Sequence, residues 1–406
     1  MPFVRALILL CVCSSVALAE QDLRLLDGKI VRGQVTGLTP KQVTVQTQTD
    51  PVTVPLAQLL EIQLNEPEGI AKDTKYHILQ LFDYSELYCS SVVFKGKKVE
   101  ATLLTGSKLT LPLASVVGWL RDAQDKNSLK QYREFAKKKA AKDRLMILRE
   151  GELNPLGGVV KNIAEDGSKV EFELAPGRVL PVLFERINGF LFFNSEVSET
   201  EPVCMVVDIT GSTMAAAKIS LKEKTYTVTT LSGDELTLAE ATLAKLDFSS
   251  GKLRYLSDMP FTVLELKEFG GNKTLISEGF MIKKDSGLGP DDEVLKIGTK
   301  TYKKGLAVQL VDLEFLLNGK FKTFKADVGR HAGFSPILKG SQPLLTIRCD
   351  GVVVHSKTVQ PGEPTPLAIN ISDVNKMQIT ISLTNNVDEP FFFIPPTVLG
   401  KARVTQ

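Results

Sequence analysis

The chain is poor in histidine and cysteine, two of the residues from which metal centres are commonly built. Only three histidines, His77, His331 and His355, occur in 406 residues. None lies three or four positions from another and no H-E-x-x-H is present, which excludes a helical zinc motif of that kind. Five cysteines are present, of which Cys11 and Cys13 fall in the N-terminal apolar stretch. The remaining Cys89, Cys204 and Cys349 are odd in number and far apart, so neither a disulfide framework nor zinc-ligand spacing is available. Each lies in a strand-like segment (LYCSSVVF, PVCMVVDI, LLTIRCDG) and reads as a buried thiol. A Cys89–Cys204 bridge requires Cα atoms within about 7 Å. Charge of one sign is also missing. With 49 Lys and Arg against 47 Asp and Glu, the cationic excess that neutralises phosphates is absent, and nucleic acid is not an expected partner. P-loop, Rossmann and G-x-S-x-G sequences do not occur, nor does a long βα alternation, so no cofactor is implied.

What is present begins with MPFVRALILLCVCSSVALAE: one cation at Arg5, an apolar stretch and Ala17-Leu18-Ala19. That pattern predicts a secretory signal over residues 1–19, with a retained anchor as the alternative, and no later segment is long and apolar enough to span a bilayer. Apolar residues make up 43% of the chain and charged residues 24%, the balance of packed domains rather than disorder.

A small β unit then recurs four times, over 20–66, 74–122, 145–194 and 201–249. Each copy has a strand, a tight turn, further strands and a short closing segment, as in LTGSKLTLPLASVVGWL. Val43, Val45 and Thr47 alternate with polar residues, as do Val99, Ala101 and Leu103. Gly106, Gly177 and Gly233 sit where hairpins need positive φ. The junction residues are Pro55, Pro112, Pro181 and Ala239, and proline suits the first position of a helical turn. Each copy is expected to enclose its own core, building an extended surface rather than a pocket. LLDGKIVRGQVTGL followed by VPLAQLLEIQL resembles the Sm-like and other SH3-like small barrels, which implies that Gly33 permits a bend in a long strand. Between the second and third copies, residues 123–144 predict a helix with Leu129, Tyr132, Phe135, Ala136 and Ala140 on one face. Lys137, Lys138, Lys139 and Lys142 read as its solvated side.

From 253 to 406 the character changes to short alternating strands with frequent turns, the pattern of a β-sandwich. YKKGLAVQLVDLEFLLNGKFKTFKADVGRHAG, LLTIRCDGVVVHSKTVQPGEPTPLAINISDVNKMQITISL and VLGKARV together resemble the NPCBM family, modules attached to many bacterial glycosidases. The resemblance implies a galactose-binding-like jelly roll that holds glycan. Tyr302, Gly305 and Leu306 would open a strand, Phe321, Phe324, Ala326, Val328 and Gly329 would form the central one, and Asp350-Gly351 would turn a hairpin. This chain departs from the family at Gln309, at Arg330-His331, and in lacking a Trp element near its end. The single Trp, Trp119, lies in the second repeat.

Asp327, Arg330 and His331 are the candidate carbohydrate-binding residues, since Asp and Arg hydrogen-bond sugar hydroxyls. Asp291-Asp292-Glu293 has oxygen ligands suited to calcium but no EF-hand spacing, and reads as a solvated turn. His77 and His355 read as half-buried strand residues. The whole predicts a mainly β, exported, non-catalytic protein: tandem SH3/Sm-like barrels and a jelly-roll sandwich, secreted, periplasmic or bound at the envelope. Its expected partner is carbohydrate, or an envelope protein if the domain serves as a scaffold. A glycoside hydrolase-associated enzyme is the third reading.

Overall fold

The computed structural model describes residues 20–138, 140–193, 200–266, 281–287, 294–332, 342–384 and 396–406. The predicted signal, Lys139 and Asp291-Asp292-Glu293 lie outside them. No helix among the described residues is long and apolar enough to cross a membrane. The chain divides into two compact units, residues 1–249 and 250–406.

In the first unit each repeat follows one plan. The first copy has strands Gln21–Leu25, Ile30–Leu38, Gln42–Gln46 and Pro51–Pro55, a 3-10 turn Leu56–Gln58, and a closing strand Leu59–Gln63. Its opening strand pairs with both the second and the closing strand, which curls five strands around one apolar interior. The second strand is long and carries a bulge, between Val35 and Gly37 in the first copy and between Cys89 and Ser91 in the second. The third and fourth copies place it at Val160/Asn162 and Ala216/Lys218. A bulge at this point increases twist and bends the strand. At Gly33 the need is close approach: a Cβ there would lie 2.3 Å from the Gln46 carbonyl oxygen. Gly106, Gly177 and Gly233 have φ of 91°, 80° and 91°, as their hairpins require.

The junction prolines stand one step earlier than the helical-turn reading places them. Pro55 and Pro112 are extended residues that precede the 3-10 turn, a conformation the ring's fixed φ suits. In the third copy that position belongs to Leu183, and Pro181 lies within the strand Arg178–Leu183. Among the described residues this strand pairs only with Lys169–Ala175, so the missing N–H of Pro181 disturbs no second ladder there.

The expectation of four separate interiors is corrected. One connected apolar core runs through all four copies, from Leu23 to Phe248. Closing strands pair edge to edge across repeats: Leu59–Gln63 with Leu243–Asp247, and Val116–Leu120 with Gly189–Leu191. Pairing these edges removes the open N–H and C=O rows that would otherwise face solvent. Repeats two and four meet reciprocally, Ser85 Oγ accepting from Ala215 N at 2.9 Å and Ser212 Oγ from Tyr88 N at 3.1 Å.

The helix spans Lys126–Lys137, ending before Ala140. Asp125 caps it, its carboxylate accepting from Ser128 N at 2.8 Å, which satisfies one of the free N–H groups of the first turn. Tyr132 is buried beside Ile78, Leu120 and Met146, with its hydroxyl donating to Gln80 Oε1 at 2.9 Å.

Cys89, Cys204 and Cys349 are buried thiols. His77 and His355 are half-buried. Burial, and then the nearby Asp208 carboxylate, push the Cys89 thiol up to about 12. Because the thiolate is the reactive form, native protein at pH 8.5 is expected to leave Cys89 unlabelled by iodoacetamide, with full labelling in guanidinium chloride. Mass spectrometry showing equal uptake in both states would refute the buried placement.

The second unit is a sandwich. One sheet runs Ile282–Lys284, Gly305–Val308, Thr397–Thr405, Thr323–Arg330, Thr365–Asn370, with Leu253–Tyr255 also on Thr397–Thr405. The other runs Thr262–Leu266, Val311–Leu316, Lys376–Leu383, Pro343–Cys349, Val352–Thr358. Between them Leu313, Phe315, Phe324, Ala326, Met377 and Ile379 belong to one buried core, the period-2 residues of their strands. Asp350 and Gly351 turn the last hairpin with φ of 46° and 84°.

Candidate functional site

The strand Thr323–Arg330 carries Asp327 and Arg330, and His331 follows it. Since Phe324, Ala326 and Val328 point into the core, alternation sends Arg330 the same way and Asp327 and His331 to the outer face. Arg330 Nε donates to the Val359 carbonyl at 2.8 Å beside the core edge, and burial lowers its pKa. On the outer face a hairpin, Leu295–Ile297 and Lys300–Tyr302, lies over two glycines. A Cβ at Gly329 would stand 2.2 Å from Ile297 Cγ2, and one at Gly400 would stand 2.6 Å from the Tyr302 ring.

That hairpin covers His331, which is 1% exposed, and bridges to it through Ile297. Asp327 Oδ2 takes the Lys300 ammonium at 2.8 Å. Burial first, and then the Asp327 charge, raise the Tyr302 hydroxyl pKa. The three sequence candidates therefore do not converge on one ligand: one is ion-paired, one is covered, and one faces the other side of its sheet.

A different set is brought together on the outer face of the five-stranded sheet. Register places Asp312 opposite Thr380 and Thr380 opposite Thr346 in one row, with Glu314, Gln378 and Arg348 in the next. Neighbouring strands lie about 4.8 Å apart, so these side chains form a lattice of donors and acceptors. Gln378 Nε2 donates to Asp312 Oδ2 at 2.7 Å, and Arg348 Nη1 to Thr380 Oγ1 at 3.2 Å. Lys376 Nζ sits 3.1 Å from Glu314 Oε1. Asp312 Oδ1 is buried without a hydrogen-bond partner among the described residues, an acceptor whose desolvation is uncompensated. Sequence reasoning missed this set. Its signal, polar residues alternating in VDLEFL, KMQITISL and LLTIRC, equals that of any solvated sheet face, and only register assembles it.

No aromatic side chain among the described residues of this unit is largely exposed: Tyr302, Phe315, Phe321 and Phe324 are buried and Tyr255 and Phe261 half-buried. Among the described residues, no group of three or more His, Cys, Asp or Glu is arranged to hold a metal ion.

The model of the family described as NPCBM/NEW2 domain matches residues 254–389. Those residues are an NPCBM/NEW2 domain. Solved structures similar to the chain include a CBM51 module from Clostridium perfringens GH95 in complex with methyl-galactose. It shows 13% identity, coverage of 38% of this chain and 99% of that one, and a TM-score of 0.30. The tandem CBM51 modules of Sp3GH98, a family 98 glycoside hydrolase from Streptococcus pneumoniae, align at 12% identity over 95% and 87% of the two chains, TM-score 0.30. A CBM22-1 xylan-binding domain from Paenibacillus barcinonensis Xyn10C aligns at 11% over 38% and 92%, TM-score 0.22. No curated protein matches the chain, and the comparisons lend no support to an Sm-like family for the repeats. The polar lattice of the NPCBM domain, at Asp312, Glu314, Arg348, Gln378 and Thr380, lies within the matched residues.

Proposed function

We propose that the NPCBM domain binds glycan on the outer face of its five-stranded sheet, within an exported protein that is itself non-catalytic. The observation that carries this reading is the match of residues 254–389 to a family of carbohydrate-binding modules, joined to a polar lattice on that same segment. Sugar hydroxyls need paired donors and acceptors. Arg348 offers a planar fork of N–H groups, Asp312 and Glu314 carboxylate acceptors, and Gln378 both functions. The signal-like N-terminus supports secretion to the periplasm or cell envelope.

A second reading, contact with an envelope protein, is favoured by Val352, Val353 and Val354. They are 67%, 51% and 43% exposed on a strand that pairs with one neighbour among the described residues, and an exposed apolar edge is a template for another chain.

Affinity electrophoresis of the full chain against a panel of soluble polysaccharides separates the two. Retardation on at least one glycan is expected, weakened tenfold or more by Arg348→Ala and by Asp312→Asn. The basis is that a hydrogen bond to a charged group contributes about 1.5–3 kcal/mol. Retardation on no glycan favours protein contact. Retardation that both substitutions leave unchanged moves the site off this face.

A further inference from the structure

The two pairs of repeats are built on one register, and at one position they differ. Ile62 stands opposite Leu246 in the first pair and Trp119 opposite Phe190 in the second. One residue after the closing strand's end, Leu64 N donates to the Ala244 carbonyl at 2.8 Å and Phe192 N to the Val117 carbonyl at 3.0 Å. The next residues, Asn65 and Phe193, are therefore equivalent. Asn65 closes its junction with polar contacts: Nδ2 donates to the Glu240 carbonyl at 2.8 Å and to the Leu243 carbonyl at 2.7 Å. Phe193 has no side-chain amide to do this. The residue is 50% exposed and lines a cavity of about 670 Å³ between repeats two and three.

Leu113, Val116, Val160 and Phe192 give that cavity apolar walls. Lys97, from repeat two, and Lys142, from the start of repeat three, both belong to the lining and are exposed; neither is in an ion pair among the described residues, although the Lys142 charge also acts on Glu173. The one carboxylate in the lining, Asp143, is already occupied, Oδ1 accepting from Phe193 N and Oδ2 from Val160 N, each at 2.9 Å. The volume falls in the range of about 300–1,000 Å³ typical of small-molecule sites. Such a lining offers a hydrocarbon surface and two cations, with no free side-chain acceptor for the hydroxyls of a sugar.

The geometry points to a binding site here for an amphiphilic anion, a free long-chain carboxylate whose tail fills the cavity and whose head lies between Lys97 and Lys142. This site is in the unit of residues 1–249 and stands independently of glycan binding by the NPCBM domain.

Isothermal titration of the full chain with monomeric sodium dodecanoate at low salt is expected to give one saturable site. Dodecyltrimethylammonium should bind at least tenfold more weakly. Phe193→Asn, which restores the residue of the equivalent junction, and the pair Lys97→Glu with Lys142→Glu should each weaken dodecanoate at least tenfold. Melting temperatures should stay near that of the parent, since all three side chains are exposed. The absence of saturable dodecanoate binding, equal affinity for the cationic amphiphile, or unchanged affinity in Phe193→Asn would overturn the site. Capture only on phosphatidylglycerol vesicles, with no monomer bound, would overturn it in favour of a membrane surface.

Discussion

Trp119→Ala is expected to lower the stability of the whole N-terminal unit by about 3–5 kcal/mol, the range for truncating a buried large aromatic residue. Trp119 is 1% exposed. Its ring lies 5.2 Å from Phe94 and 5.4 and 5.8 Å from Phe184 and Phe190, so it joins the second repeat to the third. Arg121 adds a guanidinium 5.2 Å above the ring. Truncation opens a void at the centre of a shared core, and the surrounding β framework collapses only in part. For a unit of this size each kcal/mol moves the midpoint by about 2–4 °C. Calorimetry should show one transition of the unit shifted as a whole. Trp119→Phe should lose less, because it keeps most of the ring packing and removes an indole N–H that has no partner among the described residues. If only part of the unit's unfolding enthalpy moved while the rest stayed in place, the repeats would be independent and the shared core would be refuted.

Gly329→Val is expected to cost the C-terminal unit about 1–3 kcal/mol, the range for overpacking a filled interior. The added Cβ would meet Ile297 Cγ2 at 2.2 Å, and Ile297 is fully buried within a small cluster with Leu295, Tyr302, Ala307 and Val398. Either the hairpin lifts, exposing that cluster and His331, or the strand beneath it shifts. Adding Ile297→Ala to Gly329→Val should recover part of the loss. The double variant would then be more stable than the sum of the singles predicts, as expected for residues in direct contact. Guanidinium unfolding monitored by circular dichroism measures this. Strict additivity would mean that the two side chains do not compete for the same space.

The repeats were legible because their signals are local. Alternation in QVTVQ and KVEATL, and glycine at each hairpin, dictate strand and turn without reference to distant residues. The third junction was misplaced because Pro181 mimics Pro55 and Pro112 in sequence while sitting inside a strand, where an open edge tolerates its missing N–H. In the C-terminal unit the family resemblance located the domain, and the Asp350-Gly351 turn lies where that resemblance implied. Asp327, Arg330 and His331 group together in the sequence because they lie within five residues of one another and Asp and Arg can hydrogen-bond sugar hydroxyls. Strand alternation divides them, and a hairpin from thirty residues upstream covers His331. The lattice of Asp312, Arg348, Gln378 and Thr380 draws on three strands separated by long stretches of chain, so no contiguous stretch records it.

By itself the sequence determined the class of structure: strand period, turn chemistry, few histidines and cysteines, and a balanced charge. All of these act within a few residues or through composition. Tertiary structure alone decided which edges pair, that four repeats share one interior, and which polar side chains meet on a common face. Those outcomes depend on register between distant strands, where a slip of one residue turns every side chain to the opposite face, and packing over the whole unit selects among the registers.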